Sequence, residues 1–200
     1  MTKSEIFKTL IDILTPSKVR YYMENNFVKA QDIIFPQVQE AGLTVLGMGM
    51  YALVVEHLYY PGRAFKVTTS KMDGFRTYAQ YCIENAGEPF IPVIHTLQEN
   101  GRWGMYELDK YYPIVKPSNG YEDFINLKSE GLYTYAHAGQ YASSGGVLDG
   151  TPEQIAIYKL SERLKNEFEN RFTMDIHTGN IMVDADGEVF ITDPLGGELY

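Results

Sequence analysis

The sequence predicts an α+β fold, with a helical start, an antiparallel sheet in the middle and a reduced, mainly helical remainder. Three observations predict it. Apolar residues recur at helical spacing before position 42. Between Leu43 and Leu108, short apolar runs alternate with glycine turns, the pattern of a meander. Near Thr151 a helix-start signal opens a long amphipathic run. The chain therefore divides into 1–42, a helical extension, 43–110, the sheet, and 111–200, the helical part.

Ile6, Leu10, Ile11 and Leu14 form one apolar stripe, and Pro16 stops it. A second helix is expected over Lys18 to Glu24. A third is expected from Val28 to Glu40, broken or kinked at Pro36. Leu43 to Leu46 then reads as a strand, followed by Gly47-Met48-Gly49. Ala52 to His57 and Ala64 to Thr68 are the next strands, with Pro61-Gly62 as the turn between them. Asp73 to Ala86 reads as a helix with Phe75, Tyr78, Ala79 and Cys82 on one face. Ile91 to Leu97 and Trp103 to Leu108 flank Asn100-Gly101, a hairpin signal. Gly131 to Gly150, rich in Gly, Ala, Ser and Tyr, reads as a mobile loop. Thr151-Pro152-Glu153-Gln154 supplies a capping box and a proline for the first turn. Ile157, Leu160, Leu164 and Phe168 continue that helix towards Asn170. Ile181 to Val183 and Val189 to Thr192 surround Asp186-Gly187 as a last hairpin.

Composition excludes several classes of function. The 200 residues can bury a core without disulfides or metal. With 17 Lys and Arg against 26 Asp and Glu, the net charge is −9. That opposes binding to nucleic acid or to an anionic membrane. The single cysteine, Cys82, makes neither a disulfide framework nor a cysteine-rich zinc site. No apolar run is long enough to span a bilayer and no secretory signal opens the chain, so a cytoplasmic protein is expected.

The stretch from Met174 to Asn180, followed by Ile191-Thr192-Asp193, carries the chemistry. Asp175 and Asn180 lie five residues apart in a helix-to-strand loop, and Asp193 ends a hairpin strand. Phosphoryl transfer from a nucleotide needs such a set. One carboxylate orients or deprotonates the attacking hydroxyl, while an amide oxygen and a second carboxylate hold magnesium against the phosphates. Taken singly, Asp175 and Asn180 read better as an Asx turn and Asp193 as a turn residue. The spacing of the whole set favours catalysis. Upstream, Gly47-x-Gly49-x-x-Ala52-x-Val54 sits between two strands, and Lys66 lies on the third. That context is a lid over nucleotide phosphates with a lysine to contact them. A GxG by itself marks only a hairpin, and Lys66 by itself is only a strand lysine.

Together these residues resemble the protein-kinase fold, with a β-rich N-lobe at 43–110 and a minimal C-lobe at 111–200. Met105 to Leu108 falls where the adenine-binding hinge is expected, with Glu107 among the nucleotide contacts. Phe172 to Pro194, with its HxGNIM core and ITDP ending, closely resembles the early serine/threonine protein kinases of autographiviruses, the T-odd coliphage type. Gly47-Met48-Gly49 and Phe65-Lys66-Val67 also match that family. The resemblance implies ATP and magnesium as cofactors. It implies Asp175, Lys66 and Asn180 in catalysis, Gly47, Gly49, Ala52, Val54, Lys66 and Glu107 on the nucleotide, and Asn180 and Asp193 on the metal. It also implies host proteins as substrates in the bacterial cytoplasm.

The sequence departs from ordinary kinases at several places, among them Asp193-Pro194-Leu195, which lacks the phenylalanine and glycine of DFG. Thr173-Met174 replaces the first two residues of the HRD triplet, and His177 stands where lysine is usual. The D-x-H-x-G-N form is similar to aminoglycoside and choline phosphotransferases, so a small-molecule acceptor is the alternative. His177 either orients the loop, contacts phosphate or is structural. The helix after strand three offers no glutamate to Lys66, because Glu84 lies opposite the apolar stripe. Seven residues follow Asp193, too few for an activation loop, so a non-catalytic inhibitor of a host protein is a third reading.

Overall fold

Why the first forty residues fold with the sheet is settled by where their apolar stripes go. The computed structural model describes residues 1–113, 122–141, 149–177 and 179–199, with side chains left aside at 122–130. Its contacts divide the chain into two units, 1–80 with 94–110, and 81–93 with 111–200.

In the first unit, α1 (Lys3–Leu14), α2 (Ser17–Asn25) and α3 (Phe27–Glu40) precede β1 (Thr44–Met48), β2 (Ala52–Glu56) and β3 (Arg63–Thr68). The chain continues through α4 (Phe75–Glu84) to β4 (Ile94–Asn100) and β5 (Trp103–Asp109). The five strands form an antiparallel sheet in the order β1-β2-β3-β5-β4. Gly101 at φ 61° makes the β4–β5 turn that Asn100-Gly101 foretold. Thr2 caps α1, its hydroxyl accepting from the Glu5 N–H while the Glu5 carboxylate accepts from the Thr2 N–H.

Ile6, Leu10 and Leu14 of α1 and Ala30, Ile34 and Val38 of α3 share one buried cluster with Leu53, Val55, Phe65 and Val67 of the sheet. Each large aliphatic buried there contributes about 1.5–3 kcal/mol. Ten of the sixteen buried residues of this cluster lie within 1–42, so the helical extension packs with the sheet in one unit. Pro36 does not break α3, which runs through it to Glu40. α4 is shorter than expected at both ends, starting where Asp73 Oδ1 accepts from the Phe75 N–H at 3.0 Å. The segment 81–93, read with the sheet, groups with the second unit.

The second unit runs β6 (Tyr112–Pro113), α5 (Glu122–Gly139), α6 (Pro152–Phe168), β7 (Phe172–Met174), β8 (Ile181–Val183), β9 (Val189–Ile191) and β10 (Leu195–Glu198). Its strands form a three-stranded sheet, β6-β8-β9, and a two-stranded one, β7-β10. The capping box at Thr151 and Gln154 forms as read. The mobile loop expected over Gly131–Gly150 is not one in its first part, because Gly131 to Gly139 is the end of α5. Positions 142–148 of that stretch lie outside the described residues. Gly139, in the described part, serves helix packing. A Cβ on Gly139 would lie 2.5 Å from the Tyr158 carbonyl oxygen and 2.7 Å from Ser161 Cβ, both on α6. Beyond Asp193, Leu195 to Glu198 form β10.

Candidate active site

Asp175, Asn180 and Asp193 are brought together by backbone hydrogen bonds within the second unit. β7 pairs antiparallel with β10, Met174 opposite Leu195 and Phe172 opposite Glu198. Where that ladder ends, the Asp175 N–H donates to the Pro194 carbonyl at 2.7 Å. Asp193 is the residue before Pro194, so the two carboxylates leave the same end of the ladder. On the other side, β8 and β9 pair Ile181 with Ile191. Just outside that pair, the Thr192 N–H donates to the Asn180 carbonyl at 2.8 Å and the Thr192 hydroxyl at 3.1 Å.

The Asn180 side chain closes the set. Its Nδ2 donates to the Asp175 carbonyl oxygen at 2.7 Å and lies 3.3 Å from Asp175 Oδ2. A carbonyl can only accept, so this bond fixes which end of the amide is nitrogen. It leaves Oδ1 on the opposite side. The Asx-type turn considered from sequence is thus half present, since the donor end of Asn180 is structural while its oxygen faces elsewhere. Asp175 keeps a side chain that is 51% exposed, as a group meeting an external hydroxyl must be.

His177 belongs to the same loop. Its Nδ1 accepts from the Gly179 N–H at 3.0 Å, and its Nε2 lies 3.7 Å from Asp175 Oδ1. The same Nε2 lies 3.1 Å from Asn180 Nδ2, so the ring also borders the amide of the motif. A Cβ on Gly179 would lie 2.8 Å from His177 Cε1, so a larger residue there would displace the ring. Thr178 lies outside the described residues.

In the first unit, Lys66 sits on the central strand β3, facing Val54 on β2 and Tyr106 on β5. It is buried, and its Nζ lies 3.3 Å from the centroid of the Phe75 ring on α4. Phe75 in turn meets Tyr106 edge-on, with centroids 4.9 Å apart. The α4 side chain over Lys66 is therefore an aromatic face, and Glu84 is exposed as its helical position indicated. Gly47 and Gly49 have ordinary φ, and a Cβ on either would meet nothing within 4 Å. The Gly49 N–H donates to the Ala52 carbonyl at 2.8 Å, closing the β1–β2 turn.

Glu107, the residue expected at the hinge, belongs to the sheet of the first unit. It lies inside β5, opposite Phe65 on one side and Thr96 on the other. Its carboxylate is 3% exposed and accepts from Lys3 Nζ at 2.7 and 2.8 Å. Its side chain is thus engaged within the first unit. The first unit ends at Lys110, three residues further on.

One contact of the loop had no sequence signal. Gln140, which follows α5 and is 5% exposed, donates from Nε2 to the Ile176 carbonyl at 2.9 Å and accepts the Ile176 N–H on Oε1 at 3.1 Å. It lies thirty-six residues before its partner, and no local pattern links the two.

Among the described residues no group of three or more His, Cys, Asp and Glu could hold a metal ion. Magnesium fits the residues present all the same, because it takes one or two protein oxygens and completes its shell with phosphate and water. Among the described residues no helix is long and apolar enough to cross a membrane.

No curated protein matches the chain. Among solved structures it is similar to "Structure of the Cydia pomonella Granulovirus kinase, PK-1", at 11% identity and a TM-score of 0.44. That match covers 82% of this chain, which spans 57% of the length of the granulovirus kinase. A family described as Bacteriophage T7 protein kinase 0.7 matches residues 11–196, from α1 through β10. The chain belongs to the bacteriophage T7 protein kinase 0.7 family.

Proposed function

We propose that the chain is an ATP- and magnesium-dependent protein kinase that phosphorylates serine or threonine hydroxyls of host proteins in the bacterial cytoplasm. The observation that carries this reading is the Asn180 amide, pinned by its nitrogen to the Asp175 carbonyl. It joins the hydroxyl-facing carboxylate and the metal-facing oxygen in one rigid loop. Asp175 orients the acceptor hydroxyl and takes its proton. Asn180 Oδ1 and the Asp193 carboxylate hold magnesium, which, when bound with ATP, neutralises the phosphate charge. Lys66 holds the phosphates. The backbone at Gly47 and Gly49 approaches them, which explains two glycines that neither φ nor packing requires. Ala52 and Val54 of the same turn and strand complete the nucleotide contacts.

The test is phosphotransfer from labelled ATP, with magnesium, into a bacterial lysate. Asp175→Ala should lower turnover by at least about a hundredfold with nucleotide affinity little changed, since its work is done in the transition state. Label on protein supports the reading. Label on small molecules alone favours the phosphotransferase suggested by D-x-H-x-G-N. Unchanged labelling by folded Asp175→Ala removes the assignment of Asp175, and no labelling by wild type favours the non-catalytic inhibitor.

A further inference from the structure

We propose that Gln140 is a positioning residue that sets the metal-facing orientation of Asn180; this rests on the reading of Asn180 as a magnesium ligand. The argument lies in one peptide unit. The Asp175 carbonyl and the Ile176 N–H belong to the same planar group and, being trans, point in opposite directions. The N–H end is held by Gln140 Oε1 at 3.1 Å, and the C=O end accepts from Asn180 Nδ2 at 2.7 Å. Gln140 also donates to the next carbonyl, that of Ile176, at 2.9 Å. Both peptide planes flanking Ile176 are therefore fixed by one side chain. Rotation of the first plane would carry the Asp175 carbonyl away from Asn180 and release its amide.

Gln140 is suited to this role. It is 5% exposed, and Ile176 beneath it is 2% exposed, so water does not compete for either bond. It is held by α5, whose last residue Gly139 packs against the α6 backbone, so the clamp is mounted on the helix pair. Outer residues that orient a metal ligand in this way are typically worth about 10–100-fold in metal affinity or activity.

The test compares Gln140→Met, which removes both bonds, with Gln140→Glu, which keeps an oxygen for the Ile176 N–H. Magnesium-dependent ATP binding is measured by calorimetry over a magnesium series, on the full chain, with Asn180→Ala as reference. Gln140→Met should raise the magnesium needed for half-maximal ATP binding by about tenfold or more. Gln140→Glu should stay within about threefold of wild type, the conservative variant rescuing what the apolar one loses. In the Asn180→Ala background, Gln140→Met should add little, because both act on one ligand. The Ile176 amide, followed by hydrogen exchange, should lose protection in Gln140→Met and keep it in Gln140→Glu. An unchanged magnesium response in Gln140→Met, with Asn180→Ala impaired, overturns the role of Gln140 alone. Full additivity of the two changes also overturns it, since that marks general support of the fold. An unchanged response in Asn180→Ala overturns the metal reading, and this inference with it. If Gln140→Met does not fold, Gln140→Glu decides: a tenfold loss with the Ile176 amide still protected refutes the proposal, and a near-normal response supports it.

Discussion

Replacing Phe75 with leucine should uncouple Lys66 from α4. The ring lies 3.3 Å from the lysine Nζ and 4.9 Å from the Tyr106 ring, and all three residues are buried. Leucine keeps most of the apolar burial and removes the π-face. A desolvated cation over an aromatic ring is worth about 2 kcal/mol. An edge-to-face ring pair adds about 1 kcal/mol beyond its area. Phe75→Leu should therefore destabilise the protein by about 3 kcal/mol. Only the first part involves Lys66. In a double-mutant cycle with Lys66→Met, the coupling should thus be about 2 kcal/mol, and whatever else Lys66 touches cancels. Urea unfolding of wild type, the two single variants and the double variant, followed by circular dichroism, supplies the four free energies. Coupling below about 0.5 kcal/mol refutes the assignment of Phe75 as the α4 partner of the lysine. So does a comparable coupling between Lys66→Met and Glu84→Gln, which would restore the conventional glutamate.

Gly139→Ala forces a Cβ against the Tyr158 carbonyl oxygen 2.5 Å away. It should lower unfolding stability by about 1–3 kcal/mol, read as a drop in Tm. A neutral result means that α5 and α6 can part at little cost. Gly49→Ala has open space and an ordinary φ, so stability should hold or rise by about 0.4–1 kcal/mol. Magnesium-ATP affinity should fall on the order of tenfold, the loss of one hydrogen bond to a charged group. Equal ATP binding in calorimetry would detach this turn from the nucleotide. Burial pushes the Tyr81 hydroxyl up to about 12, from an ordinary value of 10. The folded state thus holds this proton more tightly than the unfolded chain. Its contribution is complete below about pH 10 and is lost as the pH rises to about 12. Tyr81→Phe should flatten that part of the stability profile, measured by urea midpoints from pH 9 to 11.5, roughly the span over which the unfolded tyrosine ionises.

What was legible in the sequence was local. The α1 stripe, the glycine turns at Gly101 and Gly187 and the capping box at Thr151 each depend on neighbours within four residues, and each formed. The loop from Asp175 to Asn180 was legible for the same reason, its amide-to-carbonyl bond spanning five residues. What was missed depends on distant partners. Glycine and alanine near Gly139 carry the composition of a flexible loop, and only the approach of α6 shows why a helix needs them small. The ion pair of Glu107 with Lys3 spans 104 residues, so no local pattern announces it. Phe75 was read as core, which it is, but nothing in the spacing shows that its ring covers a charge. β7 and β10 are three and four residues long, too short for alternation to register.

The pairing of those two strands has a consequence for how the candidate site assembles. Every carboxylate and amide proposed for catalysis in the second unit lies between Phe172 and Glu198, and the ends of that stretch are zipped to each other. The span is a closed segment of low contact order, and the entropy of closing it grows only with the logarithm of its length. Its backbone frame can form early as one local element, with Gln140 the contact that arrives from outside it. The same closure makes loss all-or-none. An opening that breaks the bond from Asp175 to Pro194 frees Asp175 and Asp193, the residues proposed as base and metal ligand, in one event.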